Sequence, residues 1–150
     1  MVYLKFFEEK DFPDVNYTLD EIQMGYTSTA AFALKRISER NTGLEFPVTI
    51  FHNGSPAGFF TLDFGADRFD LTDNPNSVLL RSLSVNPELQ GNGIGKSAML
   101  QIDDLIVEHF KSCDEIVLAV NQNNISAYEL YLTVGYRYEG KTKIGRNGLQ

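Results

Sequence analysis

Leu83-Ser84-Val85-Asn86-Pro87-Glu88-Leu89-Gln90-Gly91-Asn92-Gly93-Ile94-Gly95-Lys96 is the stretch on which the fold turns. An apolar run stops at Asn86-Pro87, glycines follow at 91, 93 and 95, and an amphipathic pattern begins behind them. Strand, glycine turn and helix in that order make an anion site. The glycines let the backbone approach a ligand, several N–H groups converge, and the helix N-terminus adds positive potential. Spacing excludes two familiar phosphate loops. A Walker A loop could close on Gly95-Lys96-Ser97, but its first glycine would fall on Gln90. A dinucleotide fingerprint fits Gly93, Gly95 and Ala98, yet it should follow the first strand of its unit. An acidic residue should also close the next strand, where this chain has Val120-Asn121. What remains is Gln/Arg-x-x-Gly-x-Gly/Ala, met by Gln90, Gly93 and Gly95.

Working outward, residues 78–85 read as a strand, with Val78, Leu80, Ser82 and Ser84 on one face and Leu79, Arg81, Leu83 and Val85 on the other. Aromatic and β-branched runs at 46–52 and 58–64 flank Asn53-Gly54, a hairpin signal. Residues 65–77, rich in Asp, Asn, Gly and Pro, read as a loop. Residues 2–7 read as a first strand, and Asp11-Phe12-Pro13 opens a helical stretch. Residues 19–37 read as a patchy helix interrupted by Gly25, with Asn41-Thr42-Gly43 as its stop. Downstream, Ile94, Ala98, Ile102, Leu105, Ile106 and Phe110 recur at helical spacing, so 95–110 is an amphipathic helix. Residues 116–120 are an apolar, buried strand. Asn123, Asn124 and Ser126 offer caps for a helix through Val134, Gly135 ends it, and Tyr136 begins another strand. The order β-α-α-β-β-β-α-β-α-β is an α+β domain around one sheet.

Composition narrows the class. A chain of 150 residues suits one domain, and 43% hydrophobic content with 22% charged is that of a globular core. No apolar run approaches the roughly 20 residues that span a bilayer. Lys5, Glu8, Glu9, Lys10 and Asp11 exclude the apolar segment of a signal peptide at the start of the chain, so a cytoplasmic protein is expected. Cys113 is alone, which excludes an internal disulfide and a cysteine-based zinc site. It reads as a small buried hydrophobe. The net charge of −7, without a Lys/Arg cluster, argues against nucleic acid. Such a surface keeps a protein soluble and would also attract a cationic amine.

Taken together, the glycine loop, the strand that ends in Leu83-Ser84-Val85-Asn86-Pro87-Glu88, and Asn124 with Ala127-Tyr128-Glu129-Leu130-Tyr131-Leu132-Thr133-Val134-Gly135-Tyr136 resemble the GNAT superfamily of N-acetyltransferases. The resemblance is specific over residues 78–140 and only architectural over 1–64. It implies one domain over 1–150 with a central mixed, mostly antiparallel sheet flanked by helices. Residues 1–45 would form the acceptor side and 78–140 the acetyl-CoA-binding core. No metal is implied.

The resemblance also implies roles. Backbone N–H groups of Gln90, Gly91, Asn92, Gly93, Ile94, Gly95 and Lys96 would hold the CoA pyrophosphate. The pantetheine arm would pair with the strand edge at Leu83, Ser84 and Val85, where an N–H could also stabilise an oxyanion. Asn124 would contact the cofactor arm, while its own chemistry suits a helix N-cap equally. Tyr131 would be the general acid that protonates the departing thiolate, with Tyr128 one turn earlier packing in the core.

Two departures accompany the resemblance. The place where relatives carry a basic Glu falls near Ser77, which cannot serve, and Glu88 lies too close to the loop. The strand expected after Tyr138 meets only Gly145 and Asn147-Gly148, so it is short, absent or supplied by a partner, and an exposed edge would invite a homodimer. An active enzyme on a small-molecule or peptide amine is therefore set beside a module that binds acyl-CoA without turnover. If the acidic surface steers an amine to the site, kcat/KM should fall as salt rises while kcat stays level. A flat kcat/KM across a salt series would leave solubility as the role of the charge.

Overall fold

The computed structural model of the chain describes residues 1–19, 24, 27–120, 123–138 and 143–147. One seven-stranded sheet runs in the order β1-β2-β3-β4-β5-β7-β6. Its strands are β1 (Val2–Phe6), β2 (Glu45–His52), β3 (Ser55–Asp63), β4 (Ser77–Val85), β5 (Glu115–Ala119), β6 (Arg137–Tyr138) and β7 (Lys143–Asn147). The helices are α1 (Phe12–Val15), α2 (Ala30–Arg40), α3 (Ile94–His109) and α4 (Ile125–Thr133). Only β4 and β5 pair in parallel; the other pairs are antiparallel. The expected mixed, mostly antiparallel sheet flanked by helices is the one observed.

Local chemistry explains most element ends. Asn53 (φ +51) and Gly54 (φ +86) both take positive φ, the tight turn that lets β2 and β3 keep their right-handed twist. Thr29 caps α2 by accepting from the Phe32 N–H at 3.2 Å, and Asn41 (φ +47) ends it in the left-handed conformation. After the break in the patchy pattern over 19–37, the helix runs from Ala30, and Met24 ahead of it is helical as well. The part of that stretch that includes Gly25 lies outside the described residues.

Burial falls on both faces of the sheet. On one, Phe60, Leu62, Val78, Leu80 and Ile116 pack with Ile94, Ala98, Met99, Ile102 and Ile106 of α3, and Tyr131 and Val134 join them. On the other, Phe59 packs with Val15, Ala30 and Ala33 of α1 and α2. Ion pairs tie α2 to this second face. Arg36 donates twice to the buried Glu45, at 2.8 and 3.0 Å. Arg40 and Arg81 both reach Asp67 at 2.8 Å, and Arg81 also reaches Asp63 at 3.0 Å. Hydrogen bonds from Arg40 and then Arg81 hold the Asp67 carboxyl below its usual range.

One expectation needs correction and one open choice is closed. The strict alternation along 78–85 fails, because β4 carries a bulge. Thr61 pairs with Arg81 and Phe59 with Ser84, so Ser82 and Leu83 together oppose Phe60, and Ser82 takes φ +59. The extra residue flips the strand's faces. Leu83 and Val85 join Leu80 against the main core, whereas Ser84 turns with Phe59 to the α1 side. The second concerns β7: of the alternatives for the strand after Tyr138, short, absent or supplied by a partner, a short strand of this chain is the one present. It pairs along its length with β5 and at Gly145 and Ile144 with β6. Pairing with β5 at Asn147 and with both β5 and β6 at Gly145 outweighs the weak strand propensity of these residues. The strand comes from this chain, so the reason for expecting a partner's strand is removed.

Gly58 shows how tightly β3 and β4 meet at the bulge: a Cβ there would lie 2.7 Å from the Ser84 carbonyl oxygen and 3.0 Å from Ile50 Cδ1. Gly58→Ala should cost about 1–3 kcal/mol as an overpacked site. At roughly 2–4 °C per kcal/mol for a chain of this size, calorimetry should show a Tm lower by about 5 °C. An unchanged Tm would mean the two strands separate freely there.

Candidate active site

The site begins where strand pairing stops. β4 and β5 are in register at Ser77–Glu115, Val78–Ile116 and Leu79–Val117, and no pair follows. Beyond Leu79, β4 stays bonded to β3 while β5 stays bonded to β7 as far as Ala119. The bulge at Ser82 bends β4 away from its parallel neighbour. A cavity of about 560 Å³ opens in the gap, lined by Leu80 to Val85 on one wall and Leu118, Ala119 and Val120 on the other. Such an edge offers backbone N–H and C=O groups to an extended ligand.

The glycine loop closes one end of the cavity. Asn86 accepts from the Glu88 N–H at 3.0 Å and starts a short turn over Pro87–Leu89. Gln90 returns its side-chain amide to the Val85 carbonyl at 3.4 Å, and Asn92 donates to the Leu89 carbonyl at 2.8 Å. Gly91 (φ +85) and Gly93 (φ +73) hold the left-handed turns, and nothing lies within 4 Å of the Cβ position of either. A ligand has open access to the backbone there. Helix α3 starts at Ile94, and its first hydrogen bond runs from the Ser97 N–H to the Gly93 carbonyl at 3.0 Å. The N–H groups ahead of it have no partner within the helix, which suits an anion such as a pyrophosphate.

Helix α4 supplies the third wall. Asn124 caps it by accepting from the Ala127 N–H at 3.4 Å, and the same residue lines the cavity. Tyr131 lines the cavity two turns later and is 9% exposed. Burial pushes its phenol up to about 12. The Tyr136 N–H donates to the Tyr131 carbonyl at 3.0 Å and Gly135 (φ +103) ends the helix, so the C-terminal turn is held in place. Tyr128 is not among the lining residues.

Leu83, Ser84, Val85, Gln90, Gly91, Gly93, Ile94, Gly95, Lys96, Asn124 and Tyr131 all line this one cavity. Asn92 does not; its side chain braces the loop instead. The Ile94 side chain is buried in the core, so only its backbone can serve a ligand. Ser77 is buried at the paired end of β4, where its hydroxyl donates to the Asn74 carbonyl at 2.6 Å, away from the cavity. The described lining residues include Arg81 and Lys96 and no carboxylate. Sequence reasoning missed Thr27, Ser82 and Tyr17. Tyr17 meets Ser84 at 2.7 Å and Ser28 meets Ser82 at 2.9 Å. The serines at 82 and 84, alternating with Leu83 and Val85 in β4, were the available signal.

A model of the acetyltransferase (GNAT) family matches residues 8–136. An uncharacterized N-acetyltransferase, YbbJ of Bacillus subtilis (strain 168), is 33% identical over 99% of this chain and 93% of its own length. Among solved structures, the aminoglycoside acetyltransferase AAC(6')-Ib in complex with coenzyme A superposes with a TM-score of 0.76 at 15% identity, covering 98% of this chain and 95% of its own. A spermidine N-acetyltransferase from Vibrio cholerae, in complex with CoA and spermine, gives 0.73 at 15% identity over 98% and 95%. At that identity, the likeness is one of fold. No described helix is long and apolar enough to cross a membrane, and no described group of His, Cys, Asp and Glu could hold a metal.

The glycine loop makes a direct prediction. Gly93→Val forces a β-branched residue into φ +73, where it does not fit. The fold should persist while calorimetric titration shows CoA affinity reduced by about 10²-fold or more, the scale of losing several charge-assisted hydrogen bonds. Unchanged affinity in a folded variant would remove the loop from the binding site.

Proposed function

The chain belongs to the acetyltransferase (GNAT) family, and on that premise we propose that it is an acetyl-CoA-dependent N-acetyltransferase acting on a primary amine of a small molecule or peptide. One observation carries this reading: the cavity joins a glycine loop suited to pyrophosphate, an unpaired strand edge suited to the pantetheine arm, and a buried phenol. The residues fit the donor. Open backbone at Gly91 and Gly93 receives the phosphates, and the edge at Leu83, Ser84 and Val85 can run beside an extended amide-bearing arm. We further propose 1–150 as one catalytic domain, with 1–45 on the acceptor side and 78–140 on the donor side, working in the cytoplasm.

The amine nitrogen attacks the thioester carbon with its lone pair, and the carbonyl π electrons move to oxygen. An N–H of the β4 edge supports that oxyanion. When the C=O reforms, the C–S bond breaks and its electrons go to sulfur, which takes the Tyr131 proton. The proton lost by the acylated nitrogen balances the one given up by the phenol, so the products are an amide and a thiol.

The acidity of Tyr131 sets the timing. A phenol at about 12 facing a thiol near 8.5 is about 3.5 units too weak for free transfer, roughly 5 kcal/mol. The transfer therefore belongs in the step where the ammonium of the adduct lies nearby and lowers the phenol. In the resting enzyme the hydroxyl stays neutral and ready to donate across the physiological range.

A second reading, an acyl-CoA-binding module without turnover, draws on the lack of a carboxylate among the described lining residues. Thiol release from acetyl-CoA with an amine panel separates the two. Tyr131→Phe should keep CoA affinity and lower kcat by ~10²-fold. Tyr128→Phe, its control one turn earlier, should stay within about threefold, roughly 0.65 kcal/mol of barrier. Ionisation of Tyr131 should impose no alkaline limb on kcat/KM below about pH 11, given a phenol near 12. Equal losses in both variants would move the acid elsewhere.

A further inference from the structure

Two hydroxyl pairs tether the segment around α1 and the start of α2 to the bulged half of β4: Tyr17 to Ser84 at 2.7 Å and Ser28 to Ser82 at 2.9 Å. Each pair has two O–H protons and spends one on its own bond. In the first pair, the phenol is the better donor and the alcohol oxygen the better acceptor. Burial raises Tyr17 to about 12, so the phenol remains protonated and cannot act as a base. The proton left over is then that of Ser84. Ser84 lines the cavity and is 8% exposed, and its hydroxyl makes no other hydrogen bond among the described residues.

We propose that Ser84 is a side-chain hydrogen-bond donor to the acetyl carbonyl oxygen, with Tyr17 as the positioning residue that orients and polarises it. The proposal rests on the acetyl-transfer reading above. A hydroxyl whose oxygen already accepts a proton becomes a stronger donor and a weaker acceptor. In acyl transfer, the group that gathers negative charge is the carbonyl oxygen. A donor aimed at the amine would instead tie up the lone pair that must attack. The bulge makes the arrangement possible. Without the extra residue at Ser82, Ser84 would face the apolar core beside Leu80 and could not meet Tyr17.

Three variants test it, with kcat, both KM values and Tm measured for each. Ser84→Ala should lower kcat by about 10²-fold, the effect of removing one oxyanion donor, and leave both KM values within about twofold. Ser84→Thr, which keeps the hydroxyl, should recover kcat to within about threefold of the parent. Tyr17→Phe should lower kcat by roughly three- to tenfold, and combined with Ser84→Ala it should add nothing further. A raised KM for the amine at unchanged kcat would overturn the proposal, because the hydroxyl would then hold the acceptor only. Loss of kcat in Ser84→Thr equal to that in Ser84→Ala would also overturn it, as packing alone. If Ser84→Ala fails to fold, a folded Tyr17→Phe with unchanged kcat decides against the proposal. Absence of thiol release by the parent protein would overturn the acetyl-transfer reading itself, whereas an active parent with an unaffected Ser84→Ala overturns only this one.

Discussion

The separation of β4 from β5 after Leu79 is the constraint on which the rest of the site depends. Parallel strands in a sheet normally stay paired, because an unpaired backbone edge inside a protein leaves donors and acceptors unsatisfied. Here the edge of β4 is left open, and one residue is responsible. Ser82 in the left-handed region inserts an extra position opposite Phe60, and the strand bends. Residues 77–79 keep the two strands joined at one end, so the gap widens only at the other.

That wedge gathers the other parts. The loop after β4 is carried to the mouth of the gap, where its glycines and the first turn of α3 leave N–H groups unspent. The helix after β5 is carried to the opposite wall, which brings Asn124 and Tyr131 onto the same cavity although they lie far from the loop in sequence. The core beneath is continuous. Ile94, Ala98 and Ile102 of α3 pack in the same cluster as Tyr131 and Val134 of α4, so loop and phenol rest on one rigid body.

The other face of the sheet serves a different purpose. Arg36–Glu45 and Arg40–Asp67 fix α2 against β2 and the turn after β3, Arg81–Asp63 joins β4 to β3, and two hydroxyl pairs tie Tyr17 and Ser28 to the bulge. Their charges are mutually paired, which leaves the α1 side of the cavity lined by hydroxyls and by Arg81 among the described residues.

Sequence alone determined what local chemistry controls. Gly91 and Gly93 announce a loop because only glycine takes positive φ at little cost. Asn53-Gly54 marks the hairpin, the apolar period of 94–110 marks the helix, and Asn124 and Gly135 mark the ends of α4. Tyr131 was singled out only through the family resemblance carried by residues 124–136. Tertiary structure decided three things that no local pattern encodes. Gly145 lies in a strand because neighbours pair with it on both sides. Ser84 faces Tyr17 because a bulge, set by how β3 and β4 meet at Gly58, reverses the alternation. The cavity has its second wall because, past Leu79, β4 bends at its bulge while β5 keeps to β7. Each is a contact between residues distant in the chain, and a side chain's face in a sheet is fixed by its partner strands rather than by its own sequence.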